Sequence, residues 1–176
     1  MWTIYVRRKM EWTNYNFIIS TDKSRLDIDA IHGFLKTSYW AAARTREEIQ
    51  KSIENSICFG LFQGDRQIGF ARVVTDEVVV SWLGDVFIIP EFQKNGLGKW
   101  LIECIVSHPI LKKTKCLLGT KDAHGLYEKY AFQRKELMSR PANGIEETKV
   151  EQVVAPNRSS ASTLNSTSSV RGSEDS

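Results

Sequence analysis

Two hydrophobic periods alternate along the chain, and their order predicts its elements. "YNFIIST" (Tyr15 to Thr21) is a short β-rich run. Asp27 then precedes apolar Ile28, Ile31, Leu35 and Tyr39, a helical spacing with a residue type that caps helix starts. Thr45 followed by Glu48 makes a capping box for a second helix, with Ile49 and Ile53 on one face. "ICFGLFQGDRQIGFARVV" reads as a hairpin turning at Gly64 and Asp65. After a further turn at Thr75, Asp76 and Glu77 comes the long strand "VVVSWLGDVFII". It is interrupted by Gly84, which marks a bulge or a place of close approach.

Pro90 ends that strand, and Leu97, Leu101, Cys104 and Ile105 line one side of a helix that runs until Pro109. "TKCLLGT" is another strand, Asp122 is the expected N-cap of a last helix "AHGLYEKYA", and "RKELM" is a candidate closing strand. The order β, α, α, β, β, β, α, β, α predicts an α/β (α+β) domain whose mixed sheet is covered by helices.

The ends read differently. Residues 1–13 hold two tryptophans and the basic run Arg7, Arg8, Lys9, and the pattern leaves open whether they add a strand or trail as an extension. From residue 139 the chain turns polar and Ser-rich, ending "NRSSASTLNSTSSVRGSEDS", which cannot offset its ordering entropy by burial and is expected to be disordered. The predicted domain is therefore 14–138.

With 176 residues, 41% of them hydrophobic, the chain has material for one core. No apolar run approaches the roughly 18 residues of a membrane helix, and the start lacks a signal-peptide pattern, so a soluble cytoplasmic protein without membrane contact is expected. Cys58, Cys104 and Cys116 are odd in number and lack metal-type spacing, so reduced buried thiols and no metal site are expected. A net charge of +3, spread along the chain, gives only a weak footprint of nucleic-acid binding, and no nucleic-acid partner is expected.

The chemistry concentrates in "PEFQKNGLGKW", where glycines and lysines stand between a strand and a helix start. Such a turn binds phosphate because free backbone N–H groups and the positive end of the helix dipole point the same way. A nucleotide P-loop requires glycine where Gln93 stands and Ser or Thr where Trp100 stands; the dinucleotide fingerprint requires a third glycine that this stretch lacks.

"VFIIPEFQKNGLGKWLI" resembles instead the pyrophosphate-binding motif of the GNAT superfamily of N-acetyltransferases, with Gln93, Gly96 and Gly98 at the motif positions and Ile88 and Pro90 at the strand end. "DAHGLYEKYAF" resembles the same family's second landmark, which puts a tyrosine, here Tyr127, on the last helix. Thr120 stands where the family often has asparagine, and Ala131-Phe132 where it often has Gly-Phe.

This resemblance implies a mostly antiparallel sheet in which a bulged strand splays from its neighbour at the coenzyme A site. It implies acetyl-CoA as co-substrate and no metal. Val86, Phe87 and Ile88 would meet the pantetheine, and Gln93, Lys94, Asn95, Gly96, Leu97, Gly98 and Lys99 the phosphates. Tyr127 is the implied acid for the leaving thiolate. For the base, Asp85 beside the break in the strand competes with Glu128, Asp76 and His124. Trp40, Arg44, Arg72, Asp76, Trp82 and His124 are candidates to line the acceptor site. The acceptor is an amine on a small molecule, peptide or protein, and homodimerisation through the last strand is compatible with the class. The alternative function is a non-catalytic acyl-CoA sensor, which would have no need of Tyr127.

Overall fold

A computed structural model describes residues 9–140. They form a six-stranded sheet whose spatial order follows the chain: β1 (Glu11–Asn14), β2 (Phe17–Ser20), β3 (Ile57–Gln63), β4 (Arg66–Thr75), β5 (Val80–Ile88) and β6 (Lys115–Leu118). Every neighbouring pair is antiparallel except β5 and β6, which are parallel because α3 (Leu97–Ser107) crosses between them. Between β2 and β3 lie α1 (Ile28–Leu35) and α2 (Arg46–Glu54), and α4 (His124–Tyr127) follows β6 and continues as a 3₁₀ turn, Glu128–Tyr130.

Strand alternation sorts the core into two layers. Phe59, Leu61, Ala71, Val73 and Ile88 face Leu97, Leu101, Ile105 and Tyr127 on one side of the sheet. Cys58, Phe70 and Phe87 face Ile31, Leu35, Ile49 and Ile53 of α1 and α2 on the other. The rings of Phe34 and Phe87 stack at 3.9 Å there, fixing α1 against the strand that carries the site.

Local signals produce the elements they predict. The Asp27 carboxylate accepts from the Ala30 N–H, and the Thr45–Glu48 capping box is formed in both directions. The β3–β4 hairpin turns in two residues, Gly64 supplying the positive φ of 58°.

Four readings change. Glu11–Asn14 pair with β2, so the sheet starts inside the segment read as an extension. Asp122 caps nothing: Ala123 is the N-cap of α4, and its N–H donates to Thr120 Oγ1 at 3.1 Å. "RKELM" forms no strand. The bulge in β5 sits at Asp85 rather than Gly84, for reasons given below. Most of the Ser-rich tail, residues 141–176, lies outside the described residues.

Candidate functional site

β4 and β5 pair regularly from Thr75↔Ser81 to Arg72↔Gly84, then resume at Phe70↔Phe87. Asp85 and Val86 therefore stand opposite Ala71 alone, a bulge that bends β5. Asp85 takes the left-handed conformation, φ 54°, which aspartate tolerates better than most residues, whereas Gly84 does not enter that region. A glycine signal thus pointed one residue away from the strained position.

What holds Asp85 there is charge. Its side chain is 3% exposed, and both carboxylate oxygens are engaged: Oδ1 accepts from Arg44 Nη1 at 2.8 Å, Oδ2 from Arg72 Nε at 2.7 Å. Arg72 comes from β4 beside the bulge and also donates to Ser56 Oγ at 3.2 Å; Arg44 comes from the segment between α1 and α2. A buried carboxylate needs such partners, because ion desolvation is costly unless hydrogen bonds replace water.

The bulge also opens the sheet. The parallel β5–β6 pairing ends at Leu83↔Leu118, so beyond it β5 has no strand on that side among the described residues. Ile89 N–H donates to Ile68 O on the β4 side at 2.9 Å, and alternation then turns the N–H and C=O of Ile88 and Val86 toward the open edge. The Ile88 carbonyl accepts from Gln93 Nε2 at 2.8 Å, which ties the strand to the loop that follows.

That loop is a donor cradle. Lys94 (φ 66°) and Gly96 (φ 78°) both take left-handed conformations, a backbone alternation that turns successive N–H groups inward. Gly96 is the N-cap of α3 and offers no side-chain acceptor; the first helix N–H with an intrachain acceptor is that of Trp100, to Gly96 O at 3.1 Å. The N–H groups of Leu97, Gly98 and Lys99 therefore lack an acceptor among the described residues. A Cβ at Gly96 would meet nothing within 4 Å, and one at Gly98 only Ile88 Cγ1 at 3.9 Å, so the space over this backbone is open.

At the splay lies a cavity of about 490 Å³. Asp85, Val86, Arg44, Arg72, Trp40, Trp82 and Tyr127 line it, together with Tyr39, Lys121 and Asp122. Tyr39 joins two of the lining segments: its hydroxyl accepts from the Lys121 N–H at 3.3 Å, and Lys121 Nζ lies 5.0 Å over its ring. Tyr127 is buried, packs edge-on against Phe132, and has its phenol pushed up to about 12, by burial first and then by the charges of Tyr39 and Asp122.

Three candidates stand elsewhere. Asp76 Oδ1 accepts from the N–H groups of Val78, Val79 and Val80 at 3.0, 2.9 and 2.9 Å, which builds the β4–β5 turn. The Val80 contact above all holds its carboxyl below the usual range. His124 opens α4 without lining the cavity, and Glu128 accepts from Arg134 at 3.3 Å.

Residues 54–134 match the family model described as an acetyltransferase (GNAT) domain. A GNAT-family protein of Xanthomonas campestris pv. campestris, known as a crystal structure, is 39% identical; the match covers 73% of this chain and 95% of that one, with a TM-score of 0.69. The chain belongs to the GNAT acetyltransferases. A Gibberella zeae protein bearing an acetyltransferase name is 29% identical over 142 residues, 67% of this chain and 80% of its own length. A ycf52-like N-acetyltransferase of Prochlorococcus marinus is 34% identical over 97 residues, 52% of this chain and 53% of its own.

GNAT membership implies acetyl-CoA, and the residues present fit it. A cradle of free backbone donors suits a pyrophosphate, Lys94 and Lys99 add positive charge, and the open edge offers the N–H of Ile88 and the N–H and C=O of Val86 to an amide-bearing arm, the Ile88 carbonyl already accepting from Gln93. Cys104 and Cys116 are pushed up to about 12 and about 11 by burial, which removes them as thiolates near neutral pH. Among the described residues no group of three His, Cys, Asp or Glu is placed to hold a metal ion, and no helix is long and apolar enough to cross a membrane.

Sequence reasoning missed Tyr39 and Lys121 and read Asp122 as a cap. The aromatic pair Tyr39-Trp40 beside Arg44 was their one linear signal.

Proposed function

We propose that the chain is an N-acetyltransferase that moves an acetyl group from acetyl-CoA to a primary amine by direct attack within a ternary complex. One observation carries this reading: the open edge of β5 connects the donor cradle at residues 94–99 with a cavity lined by a buried, protonated tyrosine.

When bound, acetyl-CoA supplies an activated thioester. The N–H groups of residues 94–99 and Lys94 and Lys99 hold its phosphates, and Val86, Phe87 and Ile88 form the strand along which its arm lies. The N–H of Ile88, on the open edge, is a donor available to the thioester carbonyl. Over the reaction the amine nitrogen gains the acetyl carbon as sulfur departs; one proton leaves nitrogen and one ends on sulfur. Tyr127 Oη holds the proton for the sulfur: with its phenol pushed up to about 12 it stays protonated at neutral pH.

For the proton leaving nitrogen, geometry favours acceptance of an amine already neutral, because the carboxylates proposed as bases are engaged. Asp85 is taken by Arg44 and Arg72, Asp76 by its own turn and Glu128 by Arg134. Asp122 lines the cavity with no hydrogen bond to another described residue and is the carboxylate left to take that proton through water.

The test is thiol release from acetyl-CoA across a panel of amines and peptides, with calorimetric CoA binding, for the wild type and Tyr127→Phe. Turnover by wild type, with Tyr127→Phe binding CoA normally but losing roughly 100- to 1,000-fold in kcat, supports the reading. CoA binding without any reacting acceptor favours the sensor, and absence of CoA binding defeats both.

A further inference from the structure

We infer that the acceptor amine also carries a carboxylate, and that Arg44, backed by Arg72, is the group that selects it. The inference rests on the N-acetyltransferase reading of this cavity and names its substrate class.

The charges facing the cavity are Arg44, Arg72 and Lys121 against Asp85 and Asp122. Asp85 is the buried one, and each of its oxygens serves one guanidinium, so a single carboxylate is shared by two cations. The shared group leaves donors over. Arg44 spends only Nη1 on Asp85; Arg72 spends Nε on Asp85 and Nη1 on Ser56. Nothing among the described residues accepts from Arg44 Nε and Nη2 or from Arg72 Nη2, and none of these nitrogens is sealed from solvent.

Arg44 is the more accessible of the two, its side chain 35% exposed against 13% for Arg72. It is also better fixed than an ordinary surface arginine, because Asp85 pins one corner of its planar fork while Nε and Nη2 stay unspent. A guanidinium held in this way matches a planar carboxylate through two parallel hydrogen bonds, a geometry that a neutral amide cannot meet with the same charge. Tyr39, Trp40 and Trp82 also line the cavity and give the rest of the acceptor apolar contact. Asp122, on the segment between β6 and α4, supplies a separate carboxylate for the amine end. A cavity with a cationic fork and a separate carboxylate thus suits a molecule with both an acid and an amine.

The discriminating experiment uses matched pairs: a panel of amino acids, β-alanine and γ-aminobutyrate, each with the amide of its carboxylate. An α-amide lowers the pKa of the neighbouring amine, so chemistry alone favours the amide, and a preference for the acid must come from the protein. Wild type is expected to favour at least one acid over its amide by about 10- to 100-fold in kcat/KM, the range of a charge-assisted hydrogen-bond pair. Arg44→Gln should bring that ratio near one, and Arg44→Lys, which keeps charge and loses the fork, should fall between. Equal rates within every pair, or a ratio that Arg44→Gln leaves unchanged, overturns the inference. Calorimetry of the corresponding N-acetyl acids and N-acetyl amides on the CoA-saturated protein gives a second readout. If no acceptor turns over but the acids still bind in preference, and lose that preference in Arg44→Gln, the catalytic reading fails and the carboxylate site stands; if neither set binds selectively, the carboxylate site fails.

Discussion

Asp85 and Tyr127 are both buried at the cavity and are held there by opposite means. Asp85 is surrounded by donors, and removing its charge would leave two arginines sharing no counterion. Asp85→Asn isolates that effect, since asparagine tolerates φ 54° as well as aspartate does. Because Arg44 is about a third exposed, the loss is below that of a fully buried pair, and a destabilisation of about 2 kcal/mol is expected in urea unfolding. Tyr127 is instead surrounded by apolar groups that resist its ionisation. Its folded pKa is raised above the unfolded value near 10, so the fold retains the proton when the unfolded chain has lost it. Stability from this group is complete below about pH 10 and is lost as pH rises toward about 12. The same shift predicts that kcat shows no fall attributable to the phenol between pH 8 and pH 10, where an ordinary tyrosine would be half ionised at the upper end. A pH profile with a falling limb centred near 10 that vanishes in Tyr127→Phe would contradict this placement.

The turn into α3 separates what folding requires from what ligand binding requires. Gly96 sits at φ 78°, so Gly96→Ala should destabilise by about 1 kcal/mol through backbone strain alone. Gly98 is helical and its added Cβ would meet only Ile88 Cγ1 at 3.9 Å, so Gly98→Ala should leave stability unchanged or raise it by up to about 1 kcal/mol. The side chain would also end the close backbone approach that glycine permits a bound phosphate, and CoA affinity is expected to fall at least about 10-fold by calorimetry. A Gly98→Ala protein that binds CoA normally would locate the phosphates elsewhere. At this scale much was legible in the chain, because the caps of α1 and α2, the two-residue hairpin and the Gln93 to Gly98 loop are written in contiguous residues. The bulge was legible only to within a residue: a strand break is advertised by Gly84, whereas the left-handed residue is Asp85, chosen for its charge. The Arg44–Asp85–Arg72 cluster was not legible, since it joins a loop, a bulge and a neighbouring strand that only tertiary packing brings together.

Across the whole domain, the site lies where the sheet is least complete. β5 is paired with β4 on both sides of the bulge but with β6 only from Val80 to Leu83, so hydrogen-bonding capacity remains on the open edge of its second half. A ligand that occupies this edge and the cradle binds the folded chain alone, and linkage then raises stability by RT ln(1 + [L]/Kd). At CoA one hundred times its Kd the gain is about 2.7 kcal/mol, which for a domain of this size is a rise in Tm on the order of 10 °C. The effect should be graded by site. Gly98→Ala should shrink the shift at fixed CoA, because it weakens binding without weakening the fold. Tyr127→Phe should leave the shift intact, because the phenol is assigned to proton delivery. Asp85→Asn should lower the starting Tm yet keep most of the shift, because its carboxylate braces the bulge and contacts no phosphate. Differential scanning of these proteins with and without CoA distinguishes the outcomes. Were all to lose the shift in proportion to their loss of stability, CoA would be reporting general integrity and the division of labour between cradle, bulge and phenol would be refuted.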